Sequence, residues 1–399
     1  MAWLGHVPAH WEVKRGRFLF KVNGGFGTKA RKLECTEVQF LPMEKIGERN
    51  DLNLDALRVV DDEAGSYVEC LEGDVLVGKV TPCFENGKGA VARGLAGGAA
   101  LATSEVHTLR PYEAHVDFLY YSTLNGLYRQ AGAAEMYGVG GLRRVPPLFF
   151  KDARLAVPSA GEQGEIVAHL NDSISKIDSA ISSQERIIEL LKERIDSLVL
   201  RAISRPQVRS CRIEHIAELI SRPIESNPAE SYVKLGLYNR GRGLFKKDES
   251  NQDEMGESDF FYVRPGDLVI SGQFAWEGAV AMAGQGEDGC VVSHRYPILR
   301  GLNGVAETEY LLAFLCTDYG DFLLNEHSRG AAGRNRPLNI KSLLKEKIPL
   351  PALEVQREIV EAIKQRQAIL VEINKLNLLL KERRSAIITQ AVTGQIDVR

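Results

Sequence analysis

The two halves of this chain of 399 residues repeat one another, and this internal repeat restricts the fold more than any other feature of the sequence. A Gly-Asp pair and the glutamine of a P-x-x-x-x-Q segment both recur 193 residues further along. The matched residues are Gly73-Asp74 and Gly266-Asp267, then Gln163 and Gln356. Stacked solenoid repeats have periods of roughly 20–50 residues, so this longer offset indicates a duplicated domain together with its connector.

Each half shows the same order of structural signals. Short apolar runs bounded by turn residues, such as GDVLVG and GDLVIS, predict strands. Short helical patterns follow in VDFLYYSTLNGLYRQAG and ETEYLLAFLCTDYGDFLL, and a long helix comes after each of them. We predict an α+β fold in which two β-rich domains with small helices (1–157 and 205–350) are separated by two long antiparallel coiled-coil helices. The helices are assigned to 158–204 and to 351–399, the latter with a C-terminal tail.

The first long helix carries apolar residues alternately three and four positions apart, which is the pattern of a coiled-coil seam. The seam positions are Val167, Leu170, Ile174, Ile177, Ile181, Gln184, Ile188, Leu191, Ile195, Leu198 and Ala202. The second helix, from about Leu353 to Val392, keeps a weaker stripe. Gln367, Asn377 and Arg384 interrupt it. We predict that the two helices pair with each other, and a homodimerisation arm is the alternative.

The charges of the chain nearly balance, with 50 basic and 53 acidic residues. Any nucleic-acid contact must therefore come from local basic patches. The six cysteines form no C-x-x-C pair, no apolar run is long enough for a membrane span, and no secretory signal pattern opens the sequence. These observations predict a reduced, soluble, cytoplasmic protein without a membrane contact.

One segment comes close to a catalytic motif. GDVLVGKVT (73–81) fits G-x-x-x-x-G-K, but Val80 replaces the Ser or Thr of a nucleotide-binding loop, and Pro82 prevents the helix that should follow. The sequence has no N-P-P-Y string of amino-methyltransferases, no H-E-x-x-H and no G-x-S-x-G. Its histidines also lack metal-ligand spacing. We predict that the chain is not an enzyme and has no catalytic or metal-binding residues.

Segments at both ends of the chain resemble Type I restriction–modification specificity subunits. WLGHVPAHWEVKRGRFLF (Trp3–Phe20) resembles the opening of that family, in which a G-x-I/V-P-x-H-W phrase is frequent. PLPALEVQREIV and the helix end LLKERRSAIITQAVTGQIDV are similar to its closing segment. The order of recognition domain, helix, recognition domain and helix also agrees, so the resemblance covers essentially the whole chain.

The resemblance implies a function and a set of partners. Each β-rich domain would be a target-recognition domain that reads one half of a split, asymmetric site in double-stranded DNA, and the helices would set the gap. The helices would also bind two modification (methyltransferase) subunits, which bring S-adenosylmethionine. Restriction or translocase subunits, with ATP and Mg²⁺, are compatible with the same plan. No cofactor is expected on this chain.

Direct reading of bases needs donors and acceptors at the major groove, where Arg suits guanine and Asn or Gln suits adenine. Glycine-bearing basic loops in equivalent places of the two halves are the first candidates, and positions after the Gly-Asp strands are the second. The candidate DNA-binding residues are Arg143, Arg144, Arg334, Asn335 and Arg336 in the loops, Lys79, Thr81, Ser271 and Gln273 after the strands, and Lys21, Lys29, Arg240 and Arg242 in other basic stretches. Arg143 and Arg336 are the leading pair.

If the helices set the gap between half-sites, their length should control it. Half-sites on one face of the duplex would lie about 34 Å apart, which is one helical turn. Removing four residues from the first helix (Ile174–Ile177) should then change the accepted gap and leave the half-site sequences unchanged.

Three other interpretations stay open. A coiled-coil scaffold whose duplicated β-rich domains bind protein or peptide would show no salt-dependent affinity for DNA. An enzyme with an unrecognised motif would show turnover as a purified chain. A specificity subunit of another methylation-based defence system would differ only in its partner enzymes.

Overall fold

The computed structural model describes residues 4–60, 66–138, 141–225, 231–251, 258–330 and 336–396. The chain divides into two compact units. Unit 1 comprises Met1–Ser183 and Asn374–Arg399, and unit 2 comprises Gln184–Ile373. Each unit therefore contains one β-rich part and a portion of both long helices.

The described residues of unit 1 form two four-stranded sheets and a two-stranded ribbon. The strands are β1 (Glu12–Arg15), β2 (Phe20–Val22), β3 (Glu37–Leu41), β4 (Leu57–Val59), β5 (Val68–Leu71), β6 (Val75–Gly78), β7 (Gly89–Val91), β8 (Ala99–Ala102), β9 (Val106–Pro111) and β10 (Arg154–Val157). The sheet orders are β2-β9-β6-β7 and β4-β3-β8-β5, and the ribbon is β1-β10. Strands β3 and β8 are parallel, whereas the central pair β6 and β9 is antiparallel.

Unit 2 repeats this arrangement in its described residues. The strands are β11 (Arg209–Arg212), β12 (Ala217–Ile220), β13 (Ser231–Leu237), β14 (Leu244–Asn251), β15 (Phe260–Tyr262), β16 (Leu268–Ile270), β17 (Val280–Met282), β18 (Val291–Ser293), β19 (Ile298–Gly301) and β20 (Lys347–Leu350). The sheet orders are β12-β19-β16-β17 and β14-β13-β18-β15, and the ribbon is β11-β20. Each strand has its counterpart ten numbers earlier, and β13 and β18 are again parallel. The duplication inferred from the sequence therefore extends to strand order and direction.

The helices also occur in matched positions. They are α1 (Ala30–Leu33), α2 (Val116–Leu124), α3 (Gly126–Ala134), α4 (Pro147–Asp152), α5 (Ala160–Ile203), α6 (Thr308–Leu315), α7 (Asp318–Glu326), α8 (Ile340–Leu343) and α9 (Leu353–Val392). Each short helical segment predicted from the sequence is in fact a pair of helices, because a capping residue starts a second one. The side chain of Asn125 caps α3 and that of Thr317 caps α7.

The two long helices, α5 and α9, are antiparallel. The seam positions predicted on α5 are all buried or half-buried. The hydrophobic cores take Val167, Leu170, Ile174, Ile388 and Ala391 from the helices in unit 1, and Val199, Ala202, Ile359 and Ile363 in unit 2. The start of α5 thus packs with the end of α9 in unit 1, and the end of α5 packs with the start of α9 in unit 2. The predicted α+β fold with paired helices is confirmed.

The repeated Gly-Asp pair has a structural role in unit 1. Gly73 has a φ of +84°, which favours glycine, and it places Asp74 in the core beside β9. The Asp74 carboxylate accepts hydrogen bonds from Arg110 Nε at 2.7 Å and Nη2 at 2.8 Å, and from the backbone N of Leu71 at 2.8 Å. Strand β6 ends at Gly78 and a turn follows it, so this segment lacks the helix of a nucleotide-binding loop.

Unit 2 uses the same arrangement with one more cation. Asp267 is completely buried and accepts hydrogen bonds from Arg222 Nη1 and Arg300 Nη2, each at 2.7 Å. The backbone N of Arg264, three residues upstream, donates to the same carboxylate at 2.8 Å. The two aspartates therefore occupy matched turns, and each carboxylate forms ion pairs with arginine side chains of its own unit.

The repeated glutamine joins each long helix to the β-rich part of its unit. Gln163 Oε1 accepts a hydrogen bond from the backbone N of His115 at 2.9 Å, just before α2. Gln356 Oε1 accepts one from the backbone N of Glu307 at 2.9 Å, just before α6. Both side chains are buried, so a buried hydrogen bond fixes each helix to its own domain.

The opening segment of the chain packs against the segment that follows α9, within unit 1. His10 Nε2 lies 2.7 Å from Glu162 Oε1 at the start of α5. A Cβ atom at Gly394 would lie 2.4 Å from Pro8 Cγ and 3.2 Å from Trp11 Cη2. The two family-like phrases at the opposite ends of the sequence are therefore in contact.

Candidate nucleic-acid interface

In unit 1 the structure brings together the candidates that follow β6 and those that precede α4. The backbone N of Val145 donates to the carbonyl of Lys79 at 2.9 Å, and the backbone N of Thr81 donates to the carbonyl of Arg143 at 3.0 Å. Arg143 is exposed, whereas Lys79 and Thr81 are half-buried. We call these two backbone segments, 79–81 and 143–145, the unit 1 loop pair.

Arg144 already has a partner inside unit 1. Its Nε and Nη2 atoms donate to the two carboxylate oxygens of Glu105 at 3.0 and 2.8 Å. The hydrogen bond to Arg144 lowers the pKa of Glu105, and burial lowers the pKa of Lys79 nearby. The two-point contact orients the Arg144 guanidinium, so Arg143 is the freer of the two candidates to reach a base.

His107, on β9, supports the unit 1 loop pair from inside. Its Nε2 atom donates to the carbonyl of Val145 at 3.1 Å, and its Nδ1 atom lies 3.1 Å from Asn23 Nδ2. Burial, followed by the charge of Lys79, holds the pKa of His107 down at about 4, against the opposing effect of the Val145 hydrogen bond. The neutral imidazole therefore belongs to the folded state.

We expect unit 1 to lose stability as the pH falls from about 6.5 to about 4. In this window the unfolded chain binds a proton on His107 before the folded chain does, so protonation favours unfolding, by up to about 3 kcal/mol. Above pH 6.5 the contribution is fully retained. Hydrogen exchange of unit 1 peptides across this window measures the loss. A His107→Gln variant, which does not titrate, should show a flatter profile, and identical profiles would contradict the assignment.

Unit 2 contains the equivalent loop pair. The backbone N of Leu338 donates to the carbonyl of Gly272 at 2.8 Å, and these residues lie 193 positions after Val145 and Lys79. A Cβ atom at Gly272 would lie 2.4 Å from the Arg295 carbonyl oxygen, so only glycine fits there. We call segments 272–274 and 336–338 the unit 2 loop pair. Two candidates, Arg334 and Asn335, lie outside the described residues.

The other candidates of the unit 2 loop pair differ in exposure. Arg336 is exposed, and its Cζ atom lies 4.8 Å from the ring centroid of Trp276 in a cation–π contact. Gln273 is half-buried. Ser271 is buried, and its Oγ atom accepts a hydrogen bond from the backbone N of Phe274 at 3.1 Å. The Ser271 hydroxyl thus stabilises the turn in this conformation, and a DNA contact from it stays a prediction.

Arg240 and Arg242 lie on a turn that is hydrogen-bonded to the same region of unit 2. The backbone N of Arg240 donates to the carbonyl of Glu277 at 2.9 Å. Arg242 donates from Nε to the carbonyl of Asn239 at 2.9 Å and lies over the ring of Tyr238 at 5.4 Å. Both arginines are exposed, and the turn that carries them is joined to the turn that follows β16 by the backbone hydrogen bond of Arg240.

Lys21 and Lys29 are in other elements of unit 1. Lys21 is exposed on β2, where it is opposite Arg110 of β9. Lys29 is exposed in the turn just before α1. Neither residue belongs to the unit 1 loop pair, and a phosphate contact from either one stays a prediction.

The sequence reasoning missed several residues of these surfaces. Glu105 holds Arg144, Trp276 lies beneath Arg336, and Tyr238 lies beneath Arg242. Phe274 is an exposed aromatic residue of the unit 2 loop pair. The sequence did contain a signal for the two aromatic residues of unit 2. The segment GQFAWEGA has Phe274 and Trp276 where the segment VTPCFENGKG of unit 1 has no aromatic residue at the matched positions.

Two features are absent from the described residues. No cluster of His, Cys, Asp and Glu side chains in these residues is suited to hold a metal ion. No helix in the same part of the chain is both long enough and apolar enough to cross a membrane.

Comparisons with known proteins find similar sequences over part of the chain. A family model described as the Type I restriction modification DNA specificity domain matches residues 217–381. The specificity subunit of the Type I restriction enzyme EcoAI from Escherichia coli is 27% identical over 165 residues, which are 39% of this chain and 28% of that protein. The EcoEI specificity subunit of the same organism is 29% identical over 174 residues, with 40% and 29% covered. The matched regions thus span less than a third of the length of these relatives.

The whole fold also has a solved counterpart. A chain from a structural study of complex assembly and conformational transition in the type I R-M system aligns with a TM-score of 0.62 at 17% identity. The alignment covers 98% of this chain and 100% of that one, so the similarity extends through both β-rich parts and both helices. Residues 217–381 are thus similar in sequence to the Type I restriction modification DNA specificity domain, and the chain as a whole shares its fold with the solved chain.

Proposed function

We propose that this chain is the DNA-reading specificity subunit of a Type I restriction–modification complex. The observation that carries the proposal is the loop pair, which recurs at the same backbone position in both units and presents Arg143 in unit 1 and Arg336 in unit 2. Two similar scaffolds with different loop residues suit an asymmetric site with two half-sites. The helices α5 and α9 would set the unread gap between them.

The chain would read DNA and leave chemistry to its partners. Two modification subunits would bind S-adenosylmethionine and methylate adenines, and restriction or translocase subunits would bring ATP and Mg²⁺. Exposed apolar residues in the middle of the long helices suit such docking, since water-exposed apolar surface favours a protein partner. They are Leu376, Leu378 and Leu379 in unit 1, and Ile187, Leu190 and Val371 in unit 2.

The test is the methylome of a methylation-free host that expresses this chain with its cognate modification subunit. Methylated adenines in one bipartite motif with a fixed gap would support the proposal and supply both half-site sequences. Unmodified DNA in the presence of a soluble complex of the two proteins would favour the interaction scaffold. The complex is the right species to test, because a chain with a net charge of −3 has little electrostatic attraction for DNA by itself.

Arg143→Ala and Arg336→Ala should each weaken the reading of a different half-site. A bidentate arginine–guanine contact contributes about 1–3 kcal/mol, so affinity for the full site should fall roughly 5–150-fold. Competition binding with DNA altered in one half-site at a time measures which half has lost discrimination. Lys151→Ala, which removes an exposed cation from α4, is the control. If both arginine variants lost affinity equally for all sequences, the residues would contact phosphates instead.

A further inference from the structure

Phe274 is the exposed aromatic side chain of the unit 2 loop pair. It is 38% exposed, although the turn around it is held firmly. Its backbone N donates to Ser271 Oγ at 3.1 Å, and its carbonyl accepts hydrogen bonds from the backbone N of Glu277 at 3.0 Å and of Ala279 at 3.2 Å. Bonds on both sides of the residue fix its backbone, so the ring is presented outward by a rigid turn.

The surroundings of Phe274 distinguish it from an ordinary exposed apolar residue. Single exposed apolar side chains are common on protein surfaces and need no explanation. Here the guanidinium group of Arg336 stacks on Trp276 of the same turn, and the neighbouring turn, which carries the exposed Arg240 and Arg242, is joined to it through the backbone of Arg240. Such a positive surface suits the phosphates of a duplex, and an apolar ring within it suits the one apolar group of the major groove, the 5-methyl group of thymine.

Gln273, the residue before Phe274, indicates which kind of base pair this turn would contact. Gln273 has the amide that matches N6 and N7 of adenine. Consecutive Cα atoms are 3.8 Å apart, close to the 3.4 Å rise of a base pair, so the two side chains can address the same or adjacent base pairs. Gln273 and Phe274 together therefore suit the two bases of A·T pairs.

The same position in unit 1 has no aromatic residue. Thr81 is the counterpart of Phe274. The carbonyls of Lys79 and Gly272, two residues before each of them, accept the equivalent hydrogen bonds within the two loop pairs. Thr81 Oγ1 donates within unit 1, to Glu85 Oε1 at 3.2 Å and to Met136 Sδ at 3.4 Å. Packing of an aromatic ring on a thymine methyl group from this position is therefore expected in the half-site of unit 2 alone.

We propose that Phe274 reads thymine in the half-site bound by unit 2, by packing its ring on the 5-methyl group of the base beside an adenine contact from Gln273. This inference rests on the proposed function. It assigns the half-site of unit 2 at least one A·T pair, which is the same half-site that loses discrimination in Arg336→Ala.

The test replaces thymidine by deoxyuridine, which lacks only the methyl group, at one position at a time in a duplex carrying the methylated motif. Affinity of the chain in complex with its modification subunits is measured at fixed salt. Losing contact with one methyl group should weaken wild-type binding about fourfold at one position of that half-site. Phe274→Ala should bind both duplexes equally weakly, and Phe274→Leu should retain part of the difference. Phe322→Ala, which removes another exposed ring of unit 2, should keep the fourfold ratio.

Several results would overturn the inference. A unit 2 half-site without an A·T pair does so directly, and so does wild-type binding that deoxyuridine leaves unchanged at every position. A fourfold ratio that persists in Phe274→Ala assigns the methyl contact to another residue. If Phe274→Ala impairs assembly of the complex, and the complex that still forms keeps the fourfold ratio of affinities, then Phe274 is a protein-docking residue. Absence of any sequence-specific binding by the wild-type complex would instead refute the proposed function itself.

Discussion

Asp267→Ala is expected to lower the free energy of unfolding of unit 2 by about 3 kcal/mol. The substitution removes a fully buried carboxylate and leaves two arginines, Arg222 and Arg300, without their shared partner. Breaking a buried ion pair by removing one partner costs about 3–5 kcal/mol. The side chains of these arginines are 21% and 35% exposed, so water can reach them, and we expect the lower end of the range.

Hydrogen exchange with mass spectrometry suits this measurement because it resolves the two units within the intact chain. Amides of the β16 and β19 strands should exchange about a hundredfold faster in Asp267→Ala, while unit 1 amides keep their rates. Asp288→Ala, which removes an exposed carboxylate of the same unit, is the matched control. Unchanged exchange in unit 2 would show that the Gly-Asp repeat has no role in stability.

A paired deletion of seven residues from both long helices is expected to shorten the unread gap by about three base pairs. Seven residues span about 10 Å of helix, and a base pair rises 3.4 Å. Suitable segments are Gln184–Leu190 of α5 and Glu372–Leu378 of α9, since neither contributes a residue to the large hydrophobic core of either unit. Seven residues also preserve the coiled-coil repeat, so the remaining seam positions keep facing the partner helix.

The methylome of a host expressing the shortened chain is the readout. The deletion also removes Ile187, Leu190, Leu376 and Leu378, four of the exposed apolar residues proposed to bind the modification subunits, so co-purification must first show that the complex still forms. In that complex both half-site sequences should be retained and only the gap should change. A deletion of Gln184–Leu190 from α5 alone is the control, and it should abolish modification because the helices no longer match in length. The deletion of Ile174–Ile177 suggested by the sequence is less suitable, since Ile174 belongs to the core of unit 1. An unchanged gap, or altered half-sites, would contradict a spacer role for the helices.

The architecture was predictable because its signals are local or repeated. The 3–4 spacing from Val167 to Ala202 is visible in a single helix, and the bounds expected for the second helix, from Leu353 to Val392, are those of α9. Asp74 and Gln163 recur in the second half because each makes buried hydrogen bonds that both copies of the domain need. Sheet order itself was not predictable, since it depends on pairings between distant strands.

The candidate site was harder to predict because exposure and partners are set by tertiary contacts. Nothing near Arg144 in the sequence indicates Glu105, since the two meet only through the folding of β9 and the loop before α4. Ser271 resembles an ordinary polar ligand residue, yet the turn that follows β16 buries it. Trp276 precedes Arg336 by 60 positions, so their stacking depends on the path of the whole intervening chain. The sequence therefore indicated which residue types suit DNA contacts, but it did not indicate which of these side chains are exposed or already paired.

Unit 1 is built from two separate stretches of chain, and this determines the order in which the two units can fold during protein synthesis. Unit 2 is continuous, so it can fold as soon as Ile373 has left the ribosome. Unit 1 begins first but requires the end of α9 and Gly394, which packs on Pro8. At about 5–20 residues per second, its early segments wait on the order of ten seconds or more for these last residues. Nascent chains halted after Ile373 has emerged but before α9 ends would therefore carry a complete second unit and an exposed, incomplete first unit, and we expect chaperones to bind this species.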